Sequence, residues 1–336
     1  MTIKDLAKKT GYGVATVSRV LNNHPNVSDK ARREILEAVK ESGFQINANA
    51  RQLKQQHATS ILVVVKGTSN EMFSALVESI QSRISKTKYP LIVDYIDEDL
   101  NEVMRAVQLC QEKKPLGILF LGGNSEHFIK DFHKIKIPCV LVSNDASKLP
   151  FRNLSSVSTD DRKAAKCAID SIIELGHKKV VMVGGDRENS DTGRLRYEGC
   201  IESCAEHGID FDVEHDYEGV RFSYKDGYDA TARLIAKKRG FTALFAAADV
   251  MAIGAIRALK DNGLRVPEDV SVVGFDGLAL GSFLVPKLST VEQSVEKMAE
   301  RSVDILLSCI EKKGGARHET VPFVVCQRES TRRMPG

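Results

Sequence analysis

From residue 60 onward, short apolar runs alternate with amphipathic stretches, and that alternation restricts the chain to parallel sheets covered by helices. The runs Ile61–Val65, Leu91–Tyr95, Gly117–Leu121, Cys139–Val142, Val180–Val183, Ala243–Ala246 and Val270–Gly274 have the length and content of strands. Between them Phe73–Ser85, Leu100–Lys113, Lys163–Leu175, Leu195–His207, Tyr224–Lys238 and Val250–Asn262 read as helices. The pattern runs for about twice the length of one doubly wound unit, so two lobes are expected.

The first residues follow a different rule. Thr2 followed by Asp5 has capping-box spacing, and Leu6 and Ala7 then face inward. Gly11-Tyr12-Gly13 interrupts that helix, and Val14–Leu21 resumes the apolar period at once. After the loop Asn22-Asn23-His24-Pro25-Asn26, Ser28 is placed to cap a third helix that is lined by Ala31, Ile35, Ala38 and Val39 and ends at Gly43. Helix, tight turn and helix with a third helix in support make one small all-α domain. The chain divides into a helix-turn-helix domain over residues 1–46, a hinge and linker over 47–59, and a two-lobed α/β domain of two doubly wound parallel sheets over 60–336. Lobe 1 is expected to take about 60–159 and 291–322, and lobe 2 about 160–290 and 323–330.

The formal net charge of +3 becomes informative when divided along the chain. Residues 1–57 hold ten Lys or Arg against five Asp or Glu, which leaves 38 against 40 for the rest. The positive excess therefore sits in the front module, where a phosphate backbone attracts it. With 42% apolar and 28% charged residues, the 336-residue chain has the composition of a globular protein with a sizeable core. No apolar run nears the roughly 18 residues of a membrane span, and no apolar segment follows a basic start. A cytoplasmic protein with no membrane partner is expected.

Seven scattered cysteines suit a reducing compartment. The one close pair, Cys200 and Cys204, stands a helical turn apart with no histidine nearby and reads as core packing. Gly184-Gly185-Asp186 lacks the spacing of a dinucleotide site, and neither a Walker-type loop, a zincin motif nor a nucleophile elbow is visible. No cofactor, metal or catalytic residue is expected.

Thr2-Ile3-Lys4-Asp5-Leu6-Ala7 and Ala15-Thr16-Val17-Ser18-Arg19-Val20-Leu21-Asn22 resemble the opening of the LacI/GalR family of bacterial repressors. Asn47-Ala48-Asn49-Ala50-Arg51-Gln52-Leu53 resembles that family's hinge, and Val272-Val273-Gly274-Phe275-Asp276 and Gln327-Arg328-Glu329-Ser330 its later segments. The resemblance covers essentially the whole chain. It implies that Val14–Leu21 is the recognition helix, with its first turn in the major groove. Val14 and Ala15 are short and apolar, suited to thymine methyl groups, and Arg19 one turn on suits guanine or phosphate. In the family Val14, Ala15 and Arg19 occupy specificity positions, while Thr16 and Ser18 contact the backbone; Thr2, Tyr12 and Asn22 join the implied contact set. Taken without the family, Val14 and Ala15 serve equally well as packing residues. Tyr12-Gly13 stands where relatives usually have Val-Ser. A glycine cap costs only about a few tenths of a kcal/mol relative to serine, and Tyr12 becomes a candidate for a phosphate contact of its own.

The hinge, Asn47 to Gln56, is too short for a stable helix in water and is expected to fold only on DNA. In the family two such helices pair over the operator centre. Leu53 takes the place of the leucine that wedges into a base step through the minor groove, Lys54 follows it toward the groove floor or a phosphate, and Asn47 and Ala50 belong to the same contact set. The plainer use of Leu53 is an apolar anchor, although Arg51-Gln52-Leu53-Lys54-Gln55-Gln56 gives it few apolar partners. Ile46 replaces the usual proline before the hinge, which loosens the start of that helix.

The α/β region resembles periplasmic sugar-binding proteins, two similar lobes with the ligand between them. A hydroxylated ligand needs charged groups for directional hydrogen bonds and an aromatic face for the apolar side of its ring. Asp276, at the end of a strand, and Arg196, at the family's ligand-contacting arginine, meet the first need. Phe222 aligns with the family's aromatic position; Phe73 is a second wall candidate, and Asp161 and Thr192 are further polar ones. Plainer uses stand beside these: Asp276 as a turn cap before Gly277, Arg196 as a solvated helix charge, Phe73 and Phe222 as core. Ala248-Asp249 replaces the Asn-Asp of many relatives, so a ligand smaller, less hydroxylated or differently oriented than the family's hexoses is expected.

These readings describe a homodimeric, sequence-specific repressor on a pseudo-palindromic double-stranded DNA operator, controlled by a small effector, a sugar or related hydroxylated metabolite. One helix-turn-helix alone offers too few contacts, hence the dimer. A solute-binding protein on the same scaffold needs an export signal and no DNA module, and a sugar-processing enzyme needs a paired acid and base or a metal constellation; neither pattern is apparent.

Overall fold

The computed structural model describes residues 3–21, 27–42, 59–67, 70–237, 240–312 and 314–335, in two units that divide at His57 and Ala58. The hinge residues Ile46, Asn47, Ala50, Leu53 and Lys54, with Thr2 and Asn22, lie outside the described residues, as do the side chains of Ala15 and Ser18.

In the first unit α1 (Ile3–Thr10), α2 (Val14–Leu21) and α3 (Asp29–Ser42) pack pairwise. Leu6, Val17, Val20, Ala31 and Ile35 form their buried core. Gly11 takes φ +72°, a left-handed turn conformation that favours glycine. The Gly13 carbonyl accepts from the Thr16 and Val17 N–H groups at 2.9 and 3.1 Å, so α2 starts on backbone bonds without a serine side chain. Ser28 Oγ accepts from the Ala31 N–H at 3.4 Å at the start of α3.

The second unit holds two sheets. β1 (Ile61–Lys66), β2 (Leu91–Ile96), β3 (Gly117–Leu121), β4 (Cys139–Val142), β5 (Leu154–Ser158) and β11 (His318–Thr320) lie in the order β11-β5-β4-β3-β1-β2, parallel throughout. β6 (Val180–Gly184), β7 (Tyr217–Gly219), β8 (Ala243–Ala246), β9 (Ser271–Asp276), β10 (Ser289–Gln293) and β12 (Phe323–Cys326) repeat it as β12-β10-β9-β8-β6-β7, with only the β10/β12 pair antiparallel. β5, Leu-Ser-Ser-Val-Ser, escapes an apolar-run reading because its serines are buried, and Ser155 Oγ accepts from the Arg317 N–H at 3.1 Å. β10, Ser-Thr-Val-Glu-Gln, is hidden for the same reason.

The chain passes between the lobes three times: after β5, after β10, and between β11 and β12. The second passage follows Gln293, a few residues beyond the expected 290/291 boundary, because β10 pairs with β9 through Glu292. The helix Val295–Lys312 then packs on β3, β4 and β5 in the first lobe, an element that the apolar-run reading missed. The passages bond to one another: Thr159 Oγ1 donates to Gln293 Oε1 at 2.7 Å, Ser294 Oγ to the Pro322 carbonyl at 2.7 Å, and the Val321 N–H to the Ser158 carbonyl at 2.9 Å.

Candidate functional site

On the first unit, α2 separates its two faces cleanly. Val17 and Val20 are buried, whereas Val14 is 43% exposed and Arg19 is exposed with it. Val14 in the first turn and Arg19 in the last turn of α2 thus both stand open, an apolar and a cationic side chain of the kinds that read base edges. Thr16 is half-buried. The Tyr12 hydroxyl donates its one proton to Glu34 Oε2 at 2.6 Å, so Tyr12 ties the turn to α3, and a phosphate contact through that proton would have to break the bond.

On the second unit, both sheets have the doubly wound order in which the crevice opens at the carboxyl ends of the strands, where the winding reverses. In the first sheet that point lies between β1 and β3, and Lys66, Gly122 and Asn124 line the crevice there. In the second it lies between β6 and β8, and Asp186 follows β6. The two crevices share one interlobe cleft of about 550 Å³, a volume typical of small-molecule sites. Its mouth is bridged on two sides. Ser125 donates from its N–H and Oγ to Asp191 Oδ2 at 2.8 and 2.5 Å, and Asn124 Nδ2 donates to the Asn189 carbonyl at 3.1 Å. Opposite, Arg221 donates to Asp97 and Glu98 at 2.6 Å each, and Tyr224 donates to Glu71.

Four of the six residues singled out for the effector line this cleft: Phe73, Thr192, Arg196 and Phe222. The aromatic pair is placed by glycines. A Cβ on Gly122 would stand 3.0 Å from the Phe73 ring and one on Gly185 2.6 Å from the Phe222 ring, so each ring lies directly on backbone at the end of a strand. The Gly184-Gly185 step thus seats Phe222.

Asp161 and Asp276 are not in the cleft lining; they are buried behind Arg196. Arg196, itself only 4% exposed, donates from Nε to Asp161 Oδ1 at 2.7 Å and from Nη1 to the Ala247 carbonyl at 2.5 Å, and stands 3.7 Å from Asp276 Oδ1. Its guanidinium stacks over Phe275 with 3.7 Å to the ring centroid. Gln293 Nε2 donates to Asp276 Oδ1 at 2.9 Å, which connects the cleft floor to an interlobe passage. Asp276 Oδ2 is buried without a hydrogen-bond partner, and the residue sits at φ +121°. A buried orphan acceptor on a strained backbone is the kind of feature that functional sites retain.

The absent asparagine at Ala248 leaves Asp249 next in line, and it too is buried. It accepts from Thr290 Oγ1 and from the Leu278 N–H at 2.7 Å each, holding the loop after Asp276 in place. Burial pushes Asp276 up to about 6 and Asp249 up to about 7, with the Asp276 charge adding to the shift at Asp249, and burial raises Asp161 despite its arginine. The sign follows. An unfolded aspartate releases its proton near about pH 3.9, while folded Asp276 keeps it to about 6. Stability contributed by that proton is full at the acid end and is lost as pH rises through this window. Asp276→Asn is neutral at every pH, so from about pH 5 to about 7.5 it should gain about 1–2 kcal/mol on the parent in urea unfolding. Parallel profiles for the two chains would contradict the buried-charge account.

The apolar and motif patterns missed the opposite wall. Glu102 is fully buried and accepts from Lys66 Nζ at 2.6 Å, His127 Nδ1 at 2.9 Å and the Asn124 N–H at 2.7 Å. Burial alone would raise its carboxyl; these three partners hold it below the usual range. The only signal available in the sequence was Lys66 at the end of an otherwise apolar strand.

A helix-turn-helix module and a two-lobed cleft domain in one chain define a DNA-binding regulator that carries a periplasmic-binding-protein-like sensor. Residues 2–47 match the profile of bacterial regulatory proteins, lacI family, and residues 169–331 that of the periplasmic binding protein-like domain. The HTH-type transcriptional regulator MalR of Clostridium butyricum is 38% identical over 98% of this chain and 99% of its own. The solved lac repressor dimer bound to operator and the anti-inducer ONPF, at 24% identity, covers 99% of both chains with a TM-score of 0.73. The regulator CelR in its cellobiose complex, also at 24% identity, covers 98% of this chain and 99% of its own with a TM-score of 0.71, and both structures share the fold. The chain belongs to the lacI family of bacterial regulatory proteins and is a transcription regulator, not an enzyme. Among the described residues no helix is long and apolar enough to cross a membrane.

Proposed function

We propose that this regulator is a cytoplasmic repressor that binds a pseudo-palindromic operator as a homodimer and responds to a sugar or related hydroxylated metabolite in its interlobe cleft. The observation that carries this reading is the division of α2 into a buried face, Val17 and Val20, and an open one, Val14 and Arg19. Val14, Ala15 and Arg19 read base edges, and Thr16 and Ser18 meet the backbone. Thr2, Asn22, Asn47 and Ala50 add contacts, and Leu53, with Lys54 beside it, kinks the operator centre from the minor groove. The related structures, a lac repressor dimer bound to operator and a CelR–cellobiose complex, support the same kinds of partner here.

The effector works by preferring one lobe arrangement, since a ligand shifts an equilibrium only by its different affinity for the two states. Phe73, Phe222, Thr192 and Arg196 contact it directly, and Asp161 and Asp276 act through Arg196. Selection of bound duplexes from a random pool tests the DNA reading. With the selected site in hand, Arg19→Ala should lose about ten- to a hundredfold in specific affinity and much less on random DNA. Equal losses on both, or no site emerging from selection, would sink it.

A further inference from the structure

We infer, resting on the effector reading above, that the cleft takes an uncharged, hydroxyl-bearing ligand and turns away phosphorylated and carboxylated forms of the same molecule. Three fixed cations reach the cleft, Lys66, Arg196 and Arg221, and each is already matched within the chain. Lys66 Nζ is held at 2.6 Å by Glu102 and at 2.7 Å by the Leu100 carbonyl. Arg196 is held by Asp161 at 2.7 Å and faces Asp276 at 3.7 Å. Arg221 is chelated by Asp97 and Glu98 at 2.6 Å each, with Asp99 at 3.6 Å. His127 spends its Nδ1 on the same Glu102, and the nearby Arg187 stacks on Tyr197 and Tyr217 outside the lining.

Among the described lining residues three carboxylates, Glu98, Asp99 and Asp186, stand against the three fixed cations, and Glu102, Asp161, Asp276 and Asp97 pair with those cations from outside the lining, so no fixed positive charge is in excess. With each positive charge neutralised by carboxylates of the chain itself, the cleft has no positive field to draw in an anion. An entering phosphate would find no cation free of a carboxylate partner among the described lining residues and would have to share one already neutralised.

What the cleft does offer is neutral. Asn70, Asn144, Ser190 and Thr192 supply amide and hydroxyl groups, and Phe73 and Phe222 supply ring faces. Toward the lining carboxylates Glu98, Asp99 and Asp186 a hydroxyl brings a donor, whereas an ionised phosphate or carboxylate brings acceptors only. Such a sensor reads the molecule ahead of any phosphoryl transfer to it, so the ligand is supplied by uptake without phosphorylation or by hydrolysis of a larger glycoside.

Isothermal titration of the full-length protein in about 150 mM salt, where long-range charge effects are screened, tests this. The probes are ribose, glucose, maltose and cellobiose against ribose 5-phosphate, glucose 6-phosphate, glucuronate and inorganic phosphate alone. A neutral sugar should bind, its acidic counterpart should bind about tenfold or more weakly, and inorganic phosphate should not bind. Glu98→Gln with Asp99→Asn, which loosens Arg221, should narrow the ratio between neutral and acidic partners. An acidic probe that binds more tightly than its neutral parent, or inorganic phosphate binding that disappears in Lys66→Met, overturns the inference and leaves the effector reading standing. A cleft that takes up none of the probes overturns both.

Discussion

Arg196→Met is expected to cost about 3–5 kcal/mol of stability at pH 7, the range for breaking a buried ion pair by removing one partner. Methionine keeps the apolar stem but removes the guanidinium that stacks on Phe275, and it leaves Asp161 and Asp276 buried with no positive partner. The chain has no tryptophan, so far-ultraviolet circular dichroism in urea is the suitable measurement. The loss should shrink toward about pH 5, because burial already holds the carboxyls of Asp161 and Asp276 above their ordinary range and protonation removes the unmatched charge. The same variant should lose its response to effector on DNA. A cost under about 1 kcal/mol, the size of a surface salt bridge, would mean that the guanidinium is not what holds the buried carboxylates in place.

The second large effect belongs to a residue with no side chain. In Gly254→Ala the new methyl group would lie 2.1 Å from the Tyr224 carbonyl oxygen and 2.8 Å from the Tyr228 nitrogen. Across the same contact, a Cβ on Gly227 would meet the Met251 carbonyl at 2.5 Å. The helices Tyr224–Ala236 and Asp249–Asp261 therefore touch backbone to backbone, and backbone cannot step aside as a side-chain tip does. Overpacking of this kind costs about 3 kcal/mol, at the upper end of the usual range. Gly314→Ala is the control, since nothing lies within 4 Å of its Cβ, and it should stay within about 0.5 kcal/mol of the parent. Equal midpoints for the two variants would show that the helix pair separates freely. Because these helices begin beside Phe222 and Asp249, Gly254→Ala should also weaken ligand binding in the cleft.

Much of the architecture was legible because it is a local property. β3, β4 and β8 coincide with the apolar runs Gly117–Leu121, Cys139–Val142 and Ala243–Ala246, and α2 coincides with Val14–Leu21. A strand covered on both faces must be apolar along its length, and a helix on a core must be apolar at its own period, so neighbours in sequence suffice to reveal them. β5 and β10 were hidden because serine and threonine replace apolar residues where a partner backbone group is available. Phe73 and Phe222, both candidates from the sequence, line the cleft, yet nothing in the residues around them indicated that Gly122 and Gly185 would carry them.

The order of strands and helices, the three-helix front module with its basic excess, and the glycine-paced turn before α2 were determined by the sequence itself, since each depends on residues a few positions apart. Tertiary structure alone decided which charges meet: Arg196 finds Asp161 from 35 positions away, and Arg221 finds Asp97 from 124. A carboxylate carries no mark of its future partner, and whether it becomes a ligand contact, a buried counter-ion or a closing bridge depends on how much water the packed lobes leave beside it.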